Sequence, residues 1–217
     1  MKTSEILFNN VKPLWDEASE KEFVLQMAKG SLDSECFKKY MIQDYLYLFD
    51  YNDILKDIKD LSDSADITSF IDAIINEVEE EIKRVHVPNM ENLGIKVDGI
   101  TKSDQNEVFK EYISYMKTSV KENGLHAGII TLLQCSWCYA YIADKIKEKY
   151  AETLNSSAYK EWFEAYTCQS YTDANQIWID TVDRECADIE KSELDKMTEI
   201  FTECAKYENN IWDAMIK

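Results

Sequence analysis

Cys135 stands near the centre of the stretch LHAGIITLLQCSWCYAYIADKIKEKY (125–150), one helical turn before Tyr139. A thiol can serve as a nucleophile, and in apolar surroundings it needs a neighbouring group to take its proton. Buried cysteine is also a common small hydrophobe, so the residue by itself fits core packing as well as chemistry. Cys138 completes a CxxC, which raises redox or zinc chemistry, but no second CxxC follows. The two histidines, His86 and His126, stand outside any zinc-ligand spacing and are expected at the surface or as caps. A second constellation is Tyr40, Asp44, Tyr47 and Tyr51, spaced so that all four share one helix face. Such an aromatic stripe with one carboxylate in it is either core or part of a site. A third is Glu208, flanked at four-residue intervals by Cys204 and Trp212 and therefore expected to face inward among apolar neighbours. A carboxyl buried in such surroundings is expected to hold its proton more tightly.

The elements that must position these residues are helices. With 5 Gly and 2 Pro in 217 residues, the chain lacks the turn punctuation of a sheet protein, and its apolar residues recur at helical spacing. No charged side chain lies between His126 and Asp144, although 30% of the chain is charged. Because Thr131, Gln134, Ser136 and two tyrosines interrupt that run, a buried helix is expected rather than a membrane span, which needs about 20 predominantly apolar residues. Before it, short helices are predicted over 4–10 and from Pro13 to Gly30, then a long one capped by Ser31 or Asp33 with a break near 51–53. A further helix is predicted over 69–85, capped by Asp66 or Thr68, and a loop over 86–99. The next helix opens at Ser103 or Asp104, buries Phe109, Tyr112, Tyr115 and Met116, and ends at Asn123 and Gly124. After the central helix, a polar connection over 151–157 leads to Tyr159, Trp162, Phe163 and Tyr166 at helical spacing, then to helices over 175–190 and 192–215. No repeat or linker divides the chain, so one all-α domain over 1–217 is expected.

The net charge of −18 argues against nucleic acid and against anionic membrane as partners. The first residues show neither an apolar core nor a cleavage pattern, so a cytoplasmic protein with reduced thiols at its six cysteines is expected. A di-metal oxidase on a helical scaffold needs inward Glu-x-x-His pairs, and the chain has none, so no metal is expected.

Four blocks in order, FKKYMIQDYLYLFDY, LLQCSWCYAYIADKI, YKEWFEAY and FTECAKYENNIW, resemble the TenA proteins, also called thiaminase II or aminopyrimidine aminohydrolase, over essentially the whole chain. The resemblance implies a haem oxygenase-like all-α bundle without haem or other cofactor, and a homotetramer. It implies hydrolysis of 4-amino-5-aminomethyl-2-methylpyrimidine, or of thiamin itself, in thiamin salvage. Carried over residue by residue, Cys135 matches the nucleophile, Glu208 the acid/base and Asp44 the carboxylate that holds the pyrimidine's amino group. Tyr47, Tyr112, Tyr139 and Tyr166 match the pocket lining. Gln134 stands where many TenA proteins have proline, and the histidines and arginines of the related coenzyme PQQ synthesis proteins are not seen. The same fold can also bind another small heterocycle or act as a regulator without catalysis.

Overall fold

The computed structural model describes residues 1–216, and every regular element among them is helical. The chain divides into two compact units, 1–32 with 129–217, and 33–128.

In the first unit, α1 (Thr3–Ser19) runs straight through Pro13, so the expected division at that proline is corrected. Proline forfeits one helical hydrogen bond, but Leu7, Val11, Trp15 and Ala18 form a fully buried stripe that only a continuous helix presents. This stripe packs against α9 (Lys191–Met215), whose own inward face carries Ile200, Phe201, Cys204, Glu208, Ile211 and Trp212. The helix expected from Pro13 to Gly30 is instead broken at Glu20 and Lys21, and only the end of the short α2 (Glu22–Ala28), just before Gly30, falls where expected. Gly30 adopts φ 68°, and the Ser31 N–H bonds back to the Gln26 carbonyl at 2.9 Å. Helices α7 (Lys160–Thr167) and α8 (Gln169–Glu185) pack on each other, and α8 on α1.

In the second unit, α3 (Ser34–Asp60) is capped by Asp33, whose side chain accepts from the Glu35 N–H. It shows no break at 51–53, because Ile54, Leu55 and Ile58 carry its buried face onward. Helix α4 (Ala65–Glu81) starts earlier than predicted, with Ser64 as its cap. It passes into a π turn (Ile82–His86) and then α5 (Val87–Asn92). The expected loop over 86–99 is thus partly helical, since Pro88 falls in the first turn of α5, where its missing N–H costs nothing. Two short 3-10 turns follow (Val97–Gly99 and Lys102–Asp104), and the second is tied to α3 by side chains. Gln43 donates to the Asp104 carbonyl and accepts from the Asn106 N–H, while the buried Asp50 pairs with Lys102 and Lys117 and accepts from Gln105. These anchors flank Asp44 and Tyr47 on both sides and hold that part of α3 in register.

Helix α6 (Glu107–Leu154) has residues 107–128 in the second unit and the rest in the first. Its hydrogen bonding continues past Asn123 and Gly124, where a helix end was expected, although Gly124 carries φ 74° and interrupts the regular geometry there. One turn later, Gly128 lies so close to α3 that a Cβ built on it would overlap the Cγ1 and Cδ1 atoms of Ile58. Alanine normally stabilises a helix interior by about 1 kcal/mol over glycine. Here Gly128→Ala is expected to lower stability by about 1–3 kcal/mol, because the fully buried, β-branched Ile58 cannot swing aside. Urea unfolding of the two proteins checks the sign.

Candidate functional site

The predicted residues fall into two groups, one in each unit. In the first, α6 presents Cys135, half-buried, and Tyr139, buried; α7 presents Tyr166 and α9 presents Glu208. The Tyr139 ring lies 5.0 Å from Tyr166, 5.4 Å from Trp212 and 5.8 Å from Trp162, with each pair of rings tilted. Trp162 meets Tyr166 edge-on at 4.7 Å. Four aromatic rings from three helices, Tyr139 among them, thus cluster together, an environment suited to a flat heterocycle. Glu208 retains 1% of its exposure between Cys204 and Trp212, as its spacing implied. Its charge reaches Cys138, whose fully buried thiol is pushed well above the ordinary range, first by burial and then by Glu208. Of the two CxxC thiols, Cys138 is therefore held protonated, and Cys135 is the one with access to solvent. Ser136, the other polar group of that turn, is engaged structurally, donating to Asn175 at 2.5 Å while its carbonyl accepts from Tyr171.

In the second unit the stripe on α3 is buried as read, with Tyr40, Asp44, Tyr47 and Tyr51 each under one tenth exposed. Tyr47 stacks on Tyr112 of α6 at 6.1 Å with the ring planes 13° apart, and lies 6.4 Å from Phe109. Oδ2 of Asp44 is 2.7 Å from Nε2 of His86, and Nδ1 of the same ring lies 3.8 Å from Oε1 of Glu81.

His86 was expected at the surface or as a cap, and it is instead 4% exposed. The signal was missing because it depends on the π turn. On a regular α-helix, residues five apart point about 140° away from one another, whereas an i→i+5 turn returns them to nearly the same side. The Val87 N–H bonds to the Ile82 carbonyl, closing that wide turn and carrying His86 inward beside Glu81. Burial lowers the imidazole pKa, but the hydrogen bond and charge of Asp44, with Glu81 behind, outweigh it and leave His86 above its ordinary value. Burial pushes the Glu81 carboxyl up, partly offset by His86, and its 43% exposed side chain lets solvent soften the effect.

Since the folded pKa of His86 exceeds 6.5, the stability it contributes is present in full below that pH and is lost as the pH rises through the folded value. The difference in urea midpoint between the wild type and His86→Gln is accordingly expected to be larger at about pH 6 than at about pH 9. Equal differences at the two pH values would show that the ring is not charged in the folded protein.

The groove at Asp16, Glu20, Lys145, Lys149 and Tyr150, about 570 Å³, contains none of these residues. Its charges neutralise one another through Lys149–Glu20 and Lys145–Asp16 pairs, so it has the character of a solvated surface. Among the described residues no cluster of three or more His, Cys, Asp or Glu side chains is arranged to hold a metal ion, and no helix is long and apolar enough to cross a membrane.

Residues 8–217 match the model of the TENA/THI-4/PQQC family. The chain belongs to that family. As a TenA-type chain it is 25% identical over 214 residues to the aminopyrimidine aminohydrolase of Helicobacter pylori, spanning 98% of both chains. It is 28% identical over 211 residues to the aminopyrimidine aminohydrolase of Halalkalibacterium halodurans, spanning 95% of this chain and 92% of that one. A TenA homologue from Pyrococcus furiosus superposes over 98% of this chain and 99% of its own with a TM-score of 0.88 at 19% identity, which places the all-α TenA fold beyond the sequence match.

Proposed function

We propose that the protein is an aminopyrimidine aminohydrolase that converts 4-amino-5-aminomethyl-2-methylpyrimidine and water to the 5-hydroxymethyl compound and ammonia, and that it accepts thiamin as a second substrate. The observation that carries this reading is the end-to-end match to relatives named for that activity, on a chain that retains the thiol, the buried carboxyl and the aromatic-flanked carboxylate. In this reading Cys135 is the nucleophile, Glu208 the acid/base and Asp44 the acceptor for the ring's amino group. Tyr47, Tyr112, Tyr139 and Tyr166 are the substrate-binding residues.

The exocyclic C–N bond is hard to break while the ring is aromatic. Addition of the Cys135 thiolate to a ring carbon, with a proton from Glu208 to a ring nitrogen, removes that aromaticity, and the ring electrons then expel the amine, which leaves as ammonia after taking a proton. Water adds to the exposed methylene and gives up a proton, which replaces the one taken by the departing amine; the ring nitrogen returns its proton to Glu208, and the thiolate departs as the ring rearomatises. No cofactor enters these steps. The family resemblance further supports one functional domain, assembly as a homotetramer and action in the cytoplasm; light scattering of the purified protein checks the tetramer.

The test is formation of hydroxymethylpyrimidine by the purified protein given the aminomethylpyrimidine, with thiamin in parallel. Absence of product and of ammonia from a folded, helical protein would overturn the hydrolase in favour of a binding protein for another small heterocycle.

A further inference from the structure

Asp44 is 8% exposed, and one of its two oxygens is already occupied. Oδ2 accepts from Nε2 of His86 at 2.7 Å, and the other side of that ring faces Glu81. The partner is delivered by the π turn at the end of α4, a wide turn often found at functional sites. Met90 of α5, fully buried, belongs to the same helical segment, and the flanking turns of α3 are pinned through Gln43 and Asp50. The charged groups that act on the ring are Asp44 from α3 and Glu81 from α4. Lys83 and Arg84 of the π turn pair outward with Glu79 and Glu80, and Glu91 of α5 is exposed. Nothing in the proposed chemical steps uses His86 or Glu81.

We propose that His86, backed by Glu81, is a positioning residue that locks Oδ2 of Asp44 and leaves Oδ1 as a dedicated acceptor, so that this pair makes the protein select 4-amino over 4-oxo pyrimidines. The inference rests on the assignment of Asp44 to the ring's amino group. An amino group donates to a carboxylate oxygen. A 4-oxo ring presents a carbonyl lone pair to the same oxygen and is repelled, and a buried polar group left so mismatched is a strong source of discrimination. Removing the imidazole would leave a buried carboxylate with no cation beside it, which favours the neutral acid. A neutral carboxyl can donate to an oxo group, and the preference then collapses.

The experiment compares the wild type, His86→Leu and His86→Gln, with hydrolysis of the 4-amino and 4-oxo aminomethylpyrimidines as the readout. Glutamine can still present an N–H near the position of Nε2, whereas leucine cannot. His86→Leu is expected to raise KM for the 4-amino substrate about 10- to 100-fold with a smaller change in kcat, and to shrink the amino-to-oxo preference by a similar factor. His86→Gln, which restores the N–H donor to Oδ2 but not the positive charge, is expected to recover part of both. A preference unchanged in His86→Leu, in a protein that still hydrolyses the 4-amino substrate, overturns the positioning role and leaves the hydrolase standing. Wild-type protein that hydrolyses neither pyrimidine overturns both.

A spectroscopic measurement separates the pairing from the activity. With two histidines in the chain, the imidazole nitrogen signals of His86 are assignable by comparison with His86→Gln. The His86 ring is expected to titrate above its ordinary value and to fall in Asp44→Asn. A titration that Asp44→Asn leaves unmoved overturns the proposal whatever the substrate.

Discussion

Replacing Cys135 with serine is expected to lower kcat on the aminomethylpyrimidine by at least about 10⁴-fold while leaving helicity and unfolding temperature unchanged. The two side chains are nearly the same size, and Cys135 is only half-buried, so packing has little to lose. The chemistry has much to lose, because an alkoxide is far less accessible than a thiolate at neutral pH and ring addition needs the anion. The neighbouring thiol cannot substitute. Cys138 lies one turn further along α6, is fully buried, and is held protonated first of all by that burial. Cys138→Ala is accordingly expected to leave turnover within about threefold, as a packing change away from the reacting atoms would. Alkylation is a weaker probe than substitution here. Cys168, which caps α8, is exposed and has its thiol pulled below the ordinary value by a hydrogen bond from Ser170, so it would compete for the reagent. Wild-type turnover in Cys135→Ser, measured as ammonia release, would remove the nucleophile from the proposed mechanism.

What the sequence made legible was whatever depends on strict helical periodicity. Tyr40, Asp44, Tyr47 and Tyr51 keep a regular spacing on an unbroken α3, and Cys204, Glu208 and Trp212 on α9, so both faces could be read before any coordinates. Local punctuation was less reliable. Pro13 does not divide α1, because the long stripe buried against α9 outweighs one absent hydrogen bond. Gly124 does not end α6, because glycine tolerates the positive φ there while the helical hydrogen bonding continues past it. His86 was illegible for a different reason. Its place beside Asp44 depends on five residues adopting i→i+5 geometry, and IKRVH contains no residue type that announces it. Its partner is also 42 residues away in the chain, so no local pattern links imidazole to carboxylate.

Glu208→Gln is expected to reduce kcat by about 10²- to 10⁴-fold and to leave KM within a few-fold of the wild type. Glutamine is the informative replacement because the site is closed. At 1% exposure, between Cys204 and Trp212, alanine would leave a cavity and confound loss of the proton donor with loss of packing. Glutamine fills the same volume and can hydrogen-bond, but it has no acidic proton to give. If Glu208 supplies the proton that allows thiolate addition, the loss must appear in the chemical step and not in binding, because the ring nitrogen gains basicity only as sulfur adds. The limb of the pH–rate profile that reports this acid is expected to disappear with it. An unchanged kcat in Glu208→Gln would take the acid/base role away from α9. A fall confined to KM would instead make Glu208 a binding group, and another residue would have to protonate the ring.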